Sequence, residues 1–184
     1  MNSNFQKLHL GCGPKFIDGF CHIDLLPAEH IDHVADVRDL SFIPDQSSEL
    51  IYCSHVLEHF SRWEIPAILA EWFRVLAPEG VLRLAVPDFA ACVAYYQEHH
   101  LNGGLSDLLG LICGGQKDQF DYHHVIFDDS YLRDLLFNAG FRIVESWDWR
   151  KTEHTWLDDF SQAHLPHMDK ESGRLMSLNL QAIR

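Results

Sequence analysis

The chain has 184 residues, 47% hydrophobic and 22% charged, a size and balance that fit one globular domain spanning 1–184 and exclude disordered and fibrous classes. Lys and Arg number 14 against 27 Asp and Glu, a formal net charge of −13. That field repels a phosphate backbone and no basic patch opposes it, so no nucleic-acid partner is expected. The five cysteines (Cys12, Cys21, Cys53, Cys92, Cys113) lack CxxC spacing, as in a reduced cytoplasmic protein. No apolar leader opens the sequence and no window reaches the ~18 uncharged apolar residues of a membrane helix, so neither secretion nor membrane insertion is expected.

In chain order, apolar stretches at 7–10, 21–25, 33–37 and 50–54 predict four strands. Over 61–76, Ile65, Ile68, Leu69, Trp72, Phe73 and Leu76 share one helical face. Ser61-Arg62-Trp63-Glu64 matches the capping box, in which the Ser oxygen and the Glu side chain each satisfy a first-turn amide. Pro78 and Gly80 mark that helix's end. Residues 81–86 read as a buried parallel strand closed by Pro87-Asp88. A second helix is predicted over 130–139, capped by Asp129 or Ser130 and stopped by Gly140. A strand over 141–147 follows. In the last run Met176, Leu178, Leu180 and Ala182 alternate with Ser177, Asn179 and Gln181, the period of a half-buried strand.

Strands alternating with helices predict an α/β fold: a Rossmann-like, doubly wound, mostly parallel sheet. The last two strands have no helix between them and are expected to pair antiparallel. Only ten residues, Gly11 to Phe20, join the first strand to the second, so the first crossover helix is shortened or absent.

Ligands of such sheets bind beyond the carboxyl ends of the strands, which singles out Gly11, Asp24, Asp36, Ser54 and Asp88. Leu8 to Gly13 runs a strand into a Gly-x-Gly turn, where missing Cβ atoms let backbone amides approach a ligand. Phe16 stands where a dinucleotide fingerprint needs its third glycine, which argues against NAD. The Asp24 carboxylate can accept from a ribose diol or cap a turn. Asp36 can accept from an exocyclic amine while the Val37 amide donates to a ring nitrogen, or it too can cap.

Taken in order, Leu10-Gly11-Cys12-Gly13, Ile23-Asp24, Ala35 to Leu40, Glu49 to His59 and Arg74 to Gly80 resemble class I S-adenosylmethionine-dependent methyltransferases, the small bacterial members most of all. The match covers 7–88 and resumes weakly at 124–141. The resemblance implies S-adenosyl-L-methionine as cofactor, with Gly11, Cys12 and Gly13 around its methionine part, Asp24 at the ribose and Asp36 with Val37 at the adenine. The backbone of Ser54 and His55 would approach the sulfonium. Pro14 replaces a glycine common in the family. The implied activity is methyl transfer to a small-molecule or cell-surface-precursor acceptor, the alternative being a cofactor-binding relative without turnover.

Tyr122-His123-His124 falls where many relatives place a His facing the acceptor, so His123 or His124 is a candidate base, with Asp88 competing for that role. His59 is a further candidate, or a hydrogen-bonded structural residue. His55-Val56-Leu57-Glu58-His59 also matches H-x-x-E-H, the pattern in which a metal-dependent hydrolase uses two His one helical turn apart as ligands and the Glu as base. Its place directly after a buried strand argues against that reading, and no metal is expected. The tract from Trp147 to Trp156 mixes aromatic and charged residues, as a sugar or aromatic site would, although core packing accounts equally for Trp147.

Overall fold

The computed structural model describes residues 5–184. In chain order its main elements are β1 (Lys7–Leu10), β2 (Cys21–Asp24), β3 (His33–Val34), β4 (Ser48–Ser54), α1 (Ile65–Val75), β5 (Leu76–Pro87), α2 (Phe89–His99), α3 (Gly104–Cys113), α4 (Asp129–Asn138), β6 (Ile143–Ser146), β7 (His164–Leu165), β8 (Arg174–Leu175) and β9 (Ser177–Ile183). Seven strands form one sheet in the order β3-β2-β1-β4-β5-β9-β6, and β7 pairs with β8 apart from it. Strands β1 to β5 run parallel. β9 enters antiparallel between β5 and β6, as the missing crossover helix required. The chain between β1 and β2 is likewise free of helix and passes in turns.

The strand order reverses between β1 and β4, where an open α/β sheet forms its ligand crevice. Register makes that crevice sharp. Leu10 pairs with Ile23 on one side and Cys53 on the other, so Gly11, Asp24 and Ser54 leave the sheet along a single edge.

The main core lies on the side of α1 and α4. Ile65, Ile68, Leu69, Trp72 and Val75 of α1 and Leu132 and Leu136 of α4 pack there against Leu8, Leu10, Ile23 and Ile51. Each such aliphatic side chain taken out of water contributes roughly 1.5–3 kcal/mol. On the opposite face Ile17, Phe20, Tyr52, Trp147 and Leu157 form a second cluster. Trp72 also donates from Nε1 to the Val37 carbonyl at 2.9 Å, tying α1 to the loop after β3.

Several boundaries depart from the sequence pattern. β3 stops at Val34, because Asp36 turns the chain by accepting the Arg38 amide at 2.9 Å. α1 begins at Ile65 rather than at 61. The Glu64 carboxylate accepts from the Ser61 amide (3.0 Å) and hydroxyl (2.7 Å), which closes a separate turn ahead of the helix. The helix ends before Pro78, since Leu76 already pairs with Ser48; the next pair is Leu50 with Val81, so 77–80 bulges out of β5. A bulge is where a strand tolerates proline, and Glu79 sits there at φ +63°.

The cap of α4 is Asp128, accepting from the Tyr131 amide at 2.8 Å, in place of Asp129 or Ser130. Gly140, at φ +106°, closes that helix by donating to Phe137 O while Phe141 donates to Leu136 O. β9 is buried on both faces instead of one, because its polar side is covered by the chain at 160–163, where Asn179 Nδ2 donates to Ser161 O at 2.9 Å. α2 and α3 were not anticipated. Among the described residues no helix is long and apolar enough to cross a membrane.

Candidate active site

Three cavities adjoin along the strand-end edge. The first, about 440 Å³, is lined by Gly11, Asp24, Asp36, Val37, Arg38, Val56, His59, Phe120 and His124, among others. A second, about 270 Å³, is lined by Gly11, Cys12, Gly13, Lys15, Ser54, His55, Asp159 and Phe160. The third, about 310 Å³, takes in His55, His59, Asp107, Leu111, His123, Phe160 and His164. Gly11 is common to the first two, His59 to the first and third, and His55 with Phe160 to the second and third.

Gly11 has φ +59°, and a Cβ there would lie 2.4 Å from Val56 Cγ2, so the turn admits no side chain without displacing that wall. Its amide donates to the Ile23 carbonyl at 2.8 Å. Two residues on, the Gly13 amide donates to Asp24 Oδ2 at 2.8 Å, while Asp24 Oδ1 accepts from the Leu26 amide at 3.0 Å. Asp24 thus closes the glycine turn and its own strand end while facing the first cavity. Cys12, whose backbone lies within this turn, keeps a protonated side chain: burial, with the Asp24 charge adding to it, pushes its thiol up to about 12. Opposite the turn, Asp159 accepts from the Tyr52 hydroxyl and from the Ser161 amide and hydroxyl. Lys15, unremarked in the sequence, brings a cation to the second cavity, its ammonium donating to the Asp158 carbonyl.

At the far end of the first cavity the Asp36 carboxylate is occupied by Arg38. Nε lies 3.0 Å from both carboxylate oxygens, Nη2 2.6 Å from Oδ2, and the Arg38 amide 2.9 Å from Oδ1. Hydrogen bonding to Arg38 holds the Asp36 carboxyl below its ordinary value despite some burial. These contacts use most of the carboxylate's acceptor capacity, so little remains for an exocyclic amine. The guanidinium, which also reaches Glu64 at 2.7 Å, is the polar group this corner presents.

Behind the wall of the third cavity, imidazoles gather around the buried Glu58 carboxylate. His55 leaves β4 at φ +55°, its amide spent on the Ala85 carbonyl at 2.8 Å and its ring Nε2 3.1 Å from Ser177 Oγ. Only a short 3-10 turn, Leu57–His59, follows. The two His of H-x-x-E-H therefore do not share a helix face, and the hydrolase geometry is not formed. Glu58 is fully buried. Burial pushes its carboxyl up, but the neighbouring His55 and His59 outweigh that and hold it below its ordinary value. His55 Nδ1 lies 3.3 Å and His123 Nε2 3.9 Å from Glu58 Oε1. Burial lowers the His123 pKa, with Glu58 opposing.

The His123-His124 pair is split. Successive residues of an extended segment face opposite ways: His123 lines the third cavity, whereas His124, exposed, lines the first. The two candidate bases therefore face different cavities. Asp88 lines none of the three cavities. It caps α2, accepting from the Ala90 and Ala91 amides at 2.9 and 3.3 Å. The 147–156 tract also stays outside them, and Trp147 is core, its Nε1 donating to the Leu84 carbonyl at 2.8 Å. Phe160 and His164, which carried no sequence signal, form the wall in its place.

Residues 23–84 match the family model described as a methyltransferase domain. Among solved structures, the fold is similar to a SAM-dependent methyltransferase from Archaeoglobus fulgidus (TM-score 0.59, 14% identity, 98% of this chain and 88% of that one). It is similar also to an S-adenosylmethionine-dependent methyltransferase from Mesorhizobium loti (TM-score 0.57, 18% identity, 97% and 90%). A third similar structure is the 1,6-didemethyltoxoflavin-N1-methyltransferase of Burkholderia thailandensis with bound 1,6-didemethyltoxoflavin and S-adenosylhomocysteine (TM-score 0.57, 14% identity, 97% and 70%). No curated protein matches. Residues 23–84 thus carry the methyltransferase-domain match, and the chain has the fold of the S-adenosylmethionine-dependent methyltransferases it is similar to.

Proposed function

We propose that the protein transfers the methyl group of S-adenosylmethionine to a small-molecule acceptor held in the third cavity, with the cofactor's adenosine in the first and its methionine part in the second. The observation that carries this reading is the convergence of the three cavities on Gly11, His55 and His59. A cofactor bent across Gly11 would turn its sulfonium methyl toward the third cavity, whose volume of about 310 Å³ suits a small ligand. Asp24 would take the ribose diol, Lys15 the methionine carboxylate, and Arg38 with Val37 would border the adenine.

The reaction is an in-line displacement. An acceptor lone pair bonds to the methyl carbon as the carbon–sulfur bond breaks, and sulfur keeps that electron pair to give S-adenosylhomocysteine. Positioning and exclusion of water supply most of the acceleration, and the Glu58, His59 and His123 cluster lowers the cost of removing the acceptor's proton. The Burkholderia neighbour was solved with a small molecule beside S-adenosylhomocysteine, which supports a small acceptor over a cell-surface precursor. All five cysteines are free thiols, four of them buried, which supports a reducing, cytoplasmic setting.

Calorimetry with S-adenosylhomocysteine tests the cofactor half of the proposal: micromolar binding is expected, and a folded protein that binds neither it nor S-adenosylmethionine overturns the reading. Release of S-adenosylhomocysteine in a screen of hydroxyl, amine and carbon acceptors then identifies the partner.

A further inference from the structure

The Glu58 side chain is completely buried, and neither carboxylate oxygen has a hydrogen-bond partner among the described residues. An ionised carboxylate taken out of water costs several kcal/mol unless something positive compensates it. Among the described residues no Lys or Arg forms an ion pair with it; its ion-pair contacts are imidazoles. The ligand-type atoms of Glu58, His59 and His123 all lie within 4.8 Å of one another.

The outer contacts of the two His complete the pattern. His59 Nδ1 lies 3.1 Å from the Tyr122 carbonyl and His123 Nδ1 2.9 Å from the Leu111 carbonyl. A carbonyl can only accept, so each Nδ1 carries the proton, and in the neutral ring Nε2 keeps its lone pair. Fixing the tautomer through a backbone carbonyl is how metal-ligating His are commonly oriented. The result is a buried carboxylate with no well-formed hydrogen bond, its nearest ring nitrogen being His55 Nδ1 at 3.3 Å, beside two imidazoles that offer lone pairs, an arrangement that a cation satisfies.

We propose that Glu58, His59 and His123 bind a divalent transition metal at the wall of the third cavity, which His59 and His123 line. Two His and one carboxylate leave a coordination position open, as in catalytic rather than structural zinc sites. Bonds of about 2.0–2.2 Å would bring tetrahedral ligand atoms to roughly 3.4 Å apart, a closure from the 3.9 Å between His123 Nε2 and Glu58 Oε1 and from at most 4.8 Å across the three residues. This differs from the H-x-x-E-H reading: His55 and His59 are not the ligand pair, and His123 comes from a distant part of the chain.

For the metal's role the inference rests on the proposed methyl transfer, and it narrows the acceptor class to hydroxyls and phenols. An acceptor oxygen in the open position becomes more acidic on the metal. Its proton goes to solvent, its lone pair bonds to the methyl carbon, and the carbon–sulfur electron pair returns to sulfur.

Protein stripped with a chelator and titrated with Zn²⁺ by calorimetry, or with Co²⁺ by visible absorption, tests the site. One equivalent should bind. His59→Ala and His123→Ala should each weaken binding at least a hundredfold, while His100→Ala, at an exposed imidazole elsewhere, leaves it unchanged. Glu58→Gln should abolish it, and if that variant does not fold the two His variants still decide. Absence of stoichiometric binding, or unaltered binding in both His59→Ala and His123→Ala, overturns the site. S-adenosylhomocysteine affinity of the stripped protein, measured alongside, separates the two proposals: retained affinity without metal binding removes the metal alone, and metal binding without cofactor affinity removes the methyl-transfer reading.

Discussion

Replacing Asp24 by Asn tests the cofactor site at its most connected residue. The native carboxylate accepts from the Gly13 amide at 2.8 Å and the Leu26 amide at 3.0 Å, and with about four acceptor sites it has capacity left for a ribose diol facing the first cavity. Asn keeps one accepting oxygen and gains an NH₂ that cannot accept, so one backbone amide and one ribose hydroxyl lose their partner. Hydrogen bonds to a charged group are worth roughly 1.5–3 kcal/mol. Adenosine and S-adenosylhomocysteine should therefore bind roughly 10- to 150-fold more weakly. Calorimetry with three ligands isolates the cause. Adenosine reports the diol contact, S-adenosylhomocysteine adds the glycine turn that Asp24 holds, and 2′,3′-dideoxyadenosine lacks the diol and should be nearly indifferent to the substitution. If folded Asp24→Asn binds adenosine as wild type does, or loses as much affinity for the dideoxy analogue, Asp24 does not hold the ribose.

Asp88→Ala should cost about 1 kcal/mol as a lost helix cap, lowering the melting temperature by about 2–4 °C in a chain of this size, with turnover per folded molecule unchanged; normal stability with lost turnover would return Asp88 to the acceptor side. His9 is 2% exposed, and burial, with His22, His154 and His30 nearby, lowers its pKa from 6.5 to about 3. Because the unfolded chain protonates His9 first, the stability it contributes is full above pH 6.5 and falls by roughly 1.4 kcal/mol per unit as pH drops toward 3. Urea midpoints at pH 7, 6 and 5 should show that slope reduced by about one proton in His9→Gln, and an identical slope in wild type and variant would refute the assignment.

The parts of the fold that the sequence made legible are those set by neighbours in the chain. β1, β2 and β4 are short apolar runs, each ending in a group that cannot continue a buried strand: Gly11 at positive φ, Asp24 turning the chain through Leu26, and Ser54 before His55. α2 and α3 escaped because they bury little. Only Ala91, Cys92 and Tyr95 of α2, and Gly104 and Leu108 of α3, are buried; α3 does carry Leu105, Leu108, Leu109 and Ile112 at helical spacing, a signal the sequence reading passed over, although Leu105 and Leu109 are exposed. The other local signal there, the α2 cap Asp88, sits at a strand end and invited a catalytic reading.

The third cavity was out of reach for a different reason: its walls come from segments far apart in sequence, joined by a hairpin whose strands, β7 and β8, have two residues each. Glu58 shows what such distance hides. Within H-x-x-E-H it reads as the base between two ligands one helical turn apart, and that reading assumes a helix. Positive φ at His55 and the 3-10 turn at Leu57–His59 break the assumption. His123 then enters from the other side of the cavity, held by its amide to the Cys113 carbonyl, while its neighbour His124 is held by the Glu58 carbonyl and faces the first cavity. Which of two adjacent histidines lines which cavity is thus decided by two backbone hydrogen bonds to residues that lie ten and 66 positions away, and no local pattern in Tyr122-His123-His124 could have chosen between them.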